Sequence, residues 1–150
     1  MPTSTNHPPL ELDADGVYSY VHSVWPETAE TYNGTMPILR PGFVRFRTTT
    51  DQTHLRPGGT VSGPTMMTAV DQAAYALVLA HLGPAALAVT SHLAIDFLRR
   101  PTTGDLLVDV ELLKLGRTQV TMAARLFVDD PQAPPVAAAT VVYSRALVAS

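Results

Sequence analysis

Asp71 is the residue in this 150-residue chain whose type and position point most clearly to chemistry. It is the only Asp, Glu, Lys or Arg between Pro64 and Leu82, in a segment made mostly of Met, Ala, Val and Leu. Burying an unpaired carboxylate is costly, so such groups are usually paired, hydrogen-bonded or functional. We interpret Asp71 as a general base or nucleophile in a semi-apolar cleft. The alternative is that it faces a solvent channel or caps another element.

Gly63, eight residues before Asp71, is the second candidate. A predicted helix begins at this glycine, and the free N–H groups at a helix N-terminus attract negative charge. Such a donor can stabilise the oxyanion that forms when a carbonyl is attacked. Taken alone, Gly63 is better explained as a turn residue, because glycine is common before a helix. Together, the glycine and the acid favour chemistry at a carbonyl group.

The hydrophobic pattern predicts the elements that would position these residues. In chain order they are a helix capped by Asp13 and ended by Pro26, strands at 35–39 and 43–49, a loop at 55–63, a helix at 65–81, and strands at 87–98, 106–115, 120–128 and 136–148. Short turns between the last four strands predict an antiparallel meander. In its first strand, the predicted inner face holds Val89, Leu93, Ile95 and Phe97.

The helix at 65–81 carries apolar residues on nearly every side, so it needs burial all round. A curved antiparallel sheet wrapped about it would supply that burial. We therefore predict an α+β fold with one long central helix, in a single domain over residues 1–150 with a loose tail at 1–9.

The composition of the chain argues against several classes of function. The net charge is −3 and the basic residues are scattered, so we expect no nucleic-acid surface. The chain has no cysteine, and its five His residues lack ligand spacing, so we expect no metal site. The pattern of residues 1–10 and the charge of Asp71 predict a cytoplasmic protein without a signal peptide or membrane span. Since only 15% of residues are charged, some apolar surface is expected to be buried between subunits.

The segment Arg56-Pro57-Gly58-Gly59-Thr60-Val61-Ser62-Gly63-Pro64, followed by Asp71, resembles a motif of the hotdog acyl-CoA thioesterases. Within the 4-hydroxybenzoyl-CoA thioesterase superfamily, the phenylacetate-degradation type is the most similar. Its pattern is Asn-Pro-x-Gly-x-x-His-Gly-Gly, with an acid eight residues after the first Gly of His-Gly-Gly. The segment Ile95-Asp96-Phe97-Leu98-Arg99-Arg100-Pro101 resembles the family's strand that ends in Phe-Leu-x-Pro. The resemblance covers roughly residues 37–147 and implies the hotdog fold.

The resemblance also implies roles for individual residues. Asp71 would be the catalytic acid and the Gly63 N–H the oxyanion donor. Thr90, with Ser91 beside it, would assist the acid, although both are equally well read as ordinary strand residues. The family further implies a homo-oligomer, either a dimer or a dimer of dimers. It implies no cofactor, because coenzyme A is part of the substrate.

Three positions depart from the family pattern. Arg56 stands where the family has Asn, Ser62 where it has His, and Pro64 where it has the second Gly. Arg56 could donate to the substrate carbonyl, pair with an acid or bind a phosphate of coenzyme A. Ser62 cannot replace an imidazole in acid–base chemistry, and Pro64 lacks an N–H but leaves that of Gly63 free.

The candidate substrate-binding residues are Arg56, Ser62, Arg99 and Arg100. Arg99 and Arg100 follow a predicted strand, where they would meet the phosphates of coenzyme A or form a solvated strand end.

Hydrolysis of an acyl-CoA thioester is the predicted function, with Asp71 activating water or attacking directly. Gly63 and Asp71 are eight residues apart on one predicted helix, about 12 Å along its axis. An Asp side chain cannot close that gap, so Gly63 is expected to come from a neighbouring subunit.

Two alternatives to the thioesterase function remain. One is a non-catalytic hotdog protein that binds acyl-CoA. The other is a hotdog hydratase or dehydratase, against which the loss of the motif His at Ser62 argues.

Overall fold

The computed structural model of the chain describes residues 6–28, 32, 34–85 and 87–145. Its elements are α1 (Ala14–Val24), β1 (Thr35–Arg40), β2 (Phe43–Thr49), β3 (Leu55–Arg56), β4 (Thr60–Val61), α2 (Gly63–Leu82), β5 (Val89–Phe97), β6 (Asp105–Leu115), β7 (Gln119–Val128) and β8 (Ala137–Ser144). Six strands form one antiparallel sheet in the order β1-β2-β6-β7-β8-β5, and α2 packs against it. The predicted fold class is confirmed.

The core lies between α2 and one face of the sheet. Strand residues of alternating register are buried there, as expected for a sheet with one covered face. They are Val44 and Phe46 on β2, Leu106, Val108 and Val110 on β6, Met122, Ala124 and Leu126 on β7, and Ala137, Val141 and Tyr143 on β8.

Caps encoded in the sequence hold α2 at both ends. The Ser62 hydroxyl accepts a hydrogen bond from the Thr65 N–H at 3.3 Å, and Pro64 lies in the first turn, where no N–H is needed. Gly83 ends the helix with φ +77°, a conformation that favours glycine, and its N–H donates to the Leu79 carbonyl at 2.8 Å. The predicted limits of this helix are confirmed to within two residues.

One stripe of α2 stays uncovered. It comprises Pro64, Met67 and Thr68, which are exposed, and Asp71, Gln72 and Tyr75, which are half-buried. Residues spaced three or four apart share one face of a helix. The prediction of burial all round is therefore wrong along this open stripe, because the sheet and α1 cover only the other sides.

The N-terminal segment packs against the core. Asp13 caps α1 by accepting from the Gly16 N–H at 2.8 Å, as predicted. The predicted loose tail at 1–9 falls partly on residues 1–5, which lie outside the described residues. Its described part includes His7, whose ring lies so close to Gly42 that a Cβ there would be 2.1 Å from it.

A short hairpin replaces the predicted loop at 55–63. Arg56 of β3 pairs with Thr60 of β4, and the turn between them holds Gly58 at φ +103° and Gly59 at φ +79°. These positive φ values explain why both positions are glycine. The loop prediction was wrong for these strands, which are only two residues long and leave little periodic signal.

β5 pairs with β8 rather than β6, so the predicted meander is wrong for its first strand. After β5, the Leu98 N–H donates to the Val136 carbonyl at 2.8 Å, and the Pro101 carbonyl accepts from the Val61 N–H at 3.0 Å. The chain thus crosses the end of the sheet before it enters β6. The connection at 98–104 is longer than a tight hairpin loop, which permits this crossing. β6, β7 and β8 form a meander as predicted.

β5 contains a bulge between Thr90 and His92. An extra residue reverses the alternation of side chains on either side of it. Thr90 therefore shares the α2-facing side with Leu93, whereas Val89 points away. The prediction that Val89 lies on the inner face is wrong for this reason.

The predicted last strand, 136–148, extends into residues 146–150, which lie outside the described residues, as does the end of the resemblance at residue 147. None of the described helices is long and apolar enough to cross a membrane.

Candidate active site

The carboxylate of Asp71 lies on the open stripe of α2, where it accepts two hydrogen bonds. The Thr90 hydroxyl on β5 and the Tyr143 hydroxyl on β8 both donate to Asp71 Oδ1, each at 2.7 Å. Thr90 and Tyr143 are directly opposite each other in the β5–β8 pair, so the sheet carries both hydroxyls to the same oxygen. The structure thus brings together two of the predicted site residues, Asp71 and Thr90.

Tyr143 is held rigidly. Its side chain is buried, at 3% exposure, and its ring stacks on that of Tyr75 with the centroids 5.7 Å apart. Tyr75 follows Asp71 by one helical turn. Burial, and then the negative charge of Asp71, raises the pKa of Tyr143. The phenol therefore keeps its proton and acts as a hydrogen-bond donor.

A cavity of about 240 Å³, here called the Asp71 pocket, opens beside this carboxylate. Its walls come from α1, α2, β8 and residues 25 and 32, and they are Val21, Trp25, Tyr32, Thr68, Asp71, Gln72, Tyr75 and Tyr143. Four of these eight side chains are aromatic. The rings of Tyr32 and Tyr75 meet edge to face at 6.5 Å. An apolar group can enter this pocket next to a single carboxylate.

A polar groove of about 450 Å³, here called the threonine groove, adjoins the Asp71 pocket. It is lined by Thr48, Thr49, Thr50, Asp51, His54, Pro64, Thr65, Thr68, Ala69 and Gln72. Thr68 and Gln72 line both cavities. The groove follows the first turns of α2 and offers several hydroxyl groups to an elongated polar ligand.

Gly63 is the first residue of α2, so its N–H has no acceptor within the helix. No acceptor among the residues that the structure describes bonds this N–H either. A Cβ at this position would lie 3.3 Å from the ring of Phe97. Gly63 thus presents a free donor in a confined space, on the same helix as Asp71 but two turns away.

Ser62 serves as the N-cap of α2. Its hydroxyl lies 2.8 Å from the Thr65 hydroxyl as well as accepting from the Thr65 N–H. Ser62, which stands where the family pattern has His, is thus the N-cap of the helix in this chain.

The predicted substrate-binding arginines lie apart from Asp71, and none of them lines the Asp71 pocket. Arg56 is exposed on the β3–β4 hairpin and forms no ion pair with a described residue. Arg99 donates to the Pro135 carbonyl at 2.6 Å, and Arg100 is exposed. Within the described ranges, no group of three His, Asp or Glu side chains is arranged to hold a metal ion.

The sequence reasoning missed Tyr143, Tyr75, Trp25 and Tyr32. Tyr75 could have been found, because a residue four positions after Asp71 shares its helix face. Tyr143 carried a weaker signal, as one of only two aromatic residues after Phe97. For Trp25 and Tyr32, no local sequence pattern indicates that their segments reach the pocket.

A model of the thioesterase superfamily matches residues 58–134 of this chain. A crystal structure from a Silicibacter species, provisionally described as a thioesterase, is 44% identical in sequence. The match covers 90% of this chain and 92% of that one, with a TM-score of 0.78.

Two more distant structures share the fold. The Escherichia coli PaaI protein from the phenylacetic acid degradation operon is 18% identical, over 89% of this chain and 95% of that one, with a TM-score of 0.71. A hypothetical thioesterase from Streptococcus pneumoniae, solved with coenzyme A, is 22% identical in sequence. The match covers 75% of this chain and 88% of that one, with a TM-score of 0.66.

No curated protein sequence matches the chain. The matched segment begins in the β3–β4 hairpin and includes Gly63, Asp71 and Thr90. The family model covers just over half of the chain, and one relative is 44% identical across most of its length. Together, these two matches show the family of the chain. The chain belongs to the thioesterase superfamily and has its hotdog fold.

Proposed function

We propose that this protein is an acyl-CoA thioesterase in which Asp71 is the catalytic carboxylate. The setting of Asp71 is the observation that carries the proposal. The only acid of α2 lies on its open stripe, accepts hydrogen bonds from two hydroxyls and borders an aromatic pocket. Such a carboxylate is fixed in direction and can meet a ligand.

The reaction needs only the acyl-CoA and water. In one form, Asp71 takes a proton from water while the water oxygen attacks the thioester carbon; the C–S bond then breaks, and the thiolate of coenzyme A leaves and takes up a proton. In the other form, Asp71 attacks the thioester carbon directly, the C–S bond breaks and the thiolate of coenzyme A leaves and takes up a proton, and water then hydrolyses the resulting anhydride to the free acid and Asp71. In both, negative charge develops on the carbonyl oxygen, and the Gly63 N–H would stabilise it.

A second copy of the chain would supply that N–H. Gly63 and Asp71 are separated by eight residues of one helix, about 12 Å along its axis, so one chain cannot hold a carbonyl between them. An antiparallel copy of α2, packed along the open stripe across a two-fold axis, would bring Gly63 of the partner to Asp71. A two-fold interface repeats every contact, so a dimer would carry two such sites.

The edge of the sheet supports this dimer. In the described part of the chain, β5 pairs only with β8, and large apolar residues lie on or beside the strand: Leu87 (76% exposed), Val89 (57%), Phe97 and Leu98. A long, exposed apolar edge strand is a liability unless another chain covers it. We propose that β5 contributes to the interface of a homodimer, or of a dimer of dimers.

The two cavities match the two arms of an acyl-CoA. The acyl arm is apolar, whereas the pantetheine arm carries amide groups. The Asp71 pocket offers an apolar surface and the threonine groove a polar one, and they meet at Thr68 and Gln72. A volume of about 240 Å³ favours a compact acyl or aryl-acyl group over a long chain.

Release of thiol from a panel of short, long, branched and aromatic acyl-CoAs tests the proposal, with Asp71→Asn as the matched variant. The Asn side-chain oxygen still accepts from Thr90 and Tyr143, so the fold should be kept. Turnover should fall by about 10²–10⁴-fold because the base is gone, while Tm stays the same or rises. Near-normal turnover in folded Asp71→Asn would contradict the role of Asp71.

The same assay separates a second function, which the departures at Arg56, Ser62 and Pro64 favour. A non-catalytic hotdog protein would bind acyl-CoA in calorimetry yet release no thiol from any member of the panel. That result would replace the thioesterase by an acyl-CoA-binding protein.

A further inference from the structure

Tyr143 is a buried hydroxyl that the reaction outlined above does not use. Its oxygen lies 2.7 Å from Asp71 Oδ1 and 3.3 Å from the Asp71 backbone carbonyl. A phenol has one proton to donate, and the shorter contact, to a charged acceptor, is the stronger one. Tyr143 therefore acts on the carboxylate rather than on the backbone.

The two oxygens of Asp71 are unequal. Oδ1 accepts from both Tyr143 and Thr90, whereas no donor among the described residues reaches Oδ2. An oxygen that accepts two hydrogen bonds has little capacity left for a third partner. Oδ2 is thus the oxygen that can take a proton from water or attack a carbon.

Tyr143 is better suited than Thr90 to fix the direction of the carboxylate. Thr90 lies on the exposed edge strand, whereas the ring of Tyr143 is buried between the sheet and α2 and stacked on Tyr75. The phenol cannot swing away without breaking that stack. Since burial and the charge of Asp71 both raise the pKa of Tyr143, it remains a donor across the usable pH range.

We propose that Tyr143 is a positioning residue for the reaction, which holds Oδ1 of Asp71 together with Thr90 and so directs Oδ2 toward the substrate. This role rests on the proposed thioesterase function. It differs from simply satisfying a buried hydroxyl, because it predicts an effect on turnover that is separate from folding.

Tyr143→Phe tests the role, because it removes the donor and keeps the stacked ring. We expect kcat to fall by about 10- to 100-fold, the effect of losing a hydrogen bond to a charged group. KM should change by no more than about two-fold, since the side chain acts on the carboxylate rather than on binding. At the neighbouring position, Thr90→Val should lower kcat in the same way, and Thr90→Ser, which keeps the hydroxyl, should restore most of it.

Tyr18→Phe is the matched control. The Tyr18 hydroxyl also donates to a buried acceptor, the Gly34 carbonyl, and its ring packs edge to face on Tyr32, but it does not contact Asp71. This variant should lose a comparable hydrogen bond and leave kcat unchanged. If Tyr143→Phe does not fold, two analogues that fill the space of the hydroxyl replace it: 4-aminophenylalanine at position 143 still donates, whereas 4-methylphenylalanine does not. The proposal then expects a lower kcat at unchanged KM for the methyl analogue and a largely retained kcat for the amino analogue, and equal kcat values for the two would overturn it.

The possible failures are distinct. An active wild type with an unaltered kcat in folded Tyr143→Phe, or a change in KM alone, would overturn the positioning role and leave the thioesterase function standing. A wild type that cleaves no acyl-CoA would overturn the proposed function and this role with it.

Discussion

Arg56 is an exposed cation on the hairpin that directly precedes α2, close in sequence to the free N–H of Gly63. It forms no ion pair within the described part of the chain, so pairing with an acid of its own subunit does not account for it there. Two of its suggested roles remain, which are donation to the substrate carbonyl and binding of a coenzyme A phosphate. A guanidinium can do either, because it is always charged and carries several donors.

Arg56→Ala should lower kcat/KM by about 10- to 100-fold if the guanidinium holds the substrate, as for the loss of a charge-assisted hydrogen bond. Arg56→Asn, which restores the family residue, should recover part of that loss. Arg125→Ala is the control, because Arg125 is an exposed arginine on the face of β7 that points away from α2. Efficiencies equal to wild type in both Arg56 variants would make Arg56 an ordinary surface residue.

A buried histidine in the last turn of α2 contacts the β1–β2 turn. His81 is 5% exposed, and its Nε2 accepts from the Gly42 N–H at 3.0 Å, so the ring must be neutral. Burial, and then the charge of His7, lowers the pKa of His81. Protonation would break the bond to Gly42 and leave a charge in the core.

This arrangement makes stability depend on pH with a definite sign. Because the folded pKa of His81 is lowered, its contribution is complete above the unfolded value of about 6.5 and is lost as the pH falls below it. The Tm of the wild type should therefore fall more steeply between about pH 6.5 and pH 5 than that of His81→Gln, which keeps an acceptor but does not titrate. Parallel melting curves across this range would show that His81 is not the group responsible.

The proposed active site needs two chains. The open stripe of α2 and the free edge of β5 are two surfaces that the described part of a single chain leaves uncovered, and Asp71 and Thr90 lie on them. Burying both in one two-fold interface would complete the sheet, cover the helix and bring a free N–H to each carboxylate.

Mixing two inactive variants tests the shared site. Asp71→Asn and Gly63→Val each remove one half of every site in their own homodimer. In a mixed dimer, one site holds both lesions and the other holds neither. After random exchange, roughly a quarter of wild-type activity should return. Demonstrated exchange without recovery would rule out the shared site, as would an active monomer in sedimentation.

A reciprocal mixture is the control. The double variant Asp71→Asn/Gly63→Val, exchanged with an equal amount of wild type, should leave only the wild-type homodimers active, roughly a quarter of the dimers. A site contained within one chain would instead retain about half of the activity, so the two arrangements give different values in the same assay.

Several features of this protein can be predicted from the local sequence alone. The α2 helix, its glycine stop and the cap of α1 follow from residue types at fixed spacing. Asp71 can be singled out because it is the only acidic or basic residue of Asp, Glu, Lys or Arg type in an apolar helix. These features are readable because each is set by residues that are near one another in the chain.

The surroundings of that carboxylate depend instead on how distant parts of the chain pack together. The bulge in β5 turns Thr90 toward Asp71, although plain alternation would have turned it away. The pairing of β5 with β8, rather than with β6, sets Thr90 opposite Tyr143 and carries both hydroxyls to one oxygen. Strand pairing joins residues far apart in sequence and depends on which faces can be buried together. The local sequence pattern identifies Asp71 as the candidate acid, whereas long-range packing determines that the hydroxyls of Thr90 and Tyr143 contact it.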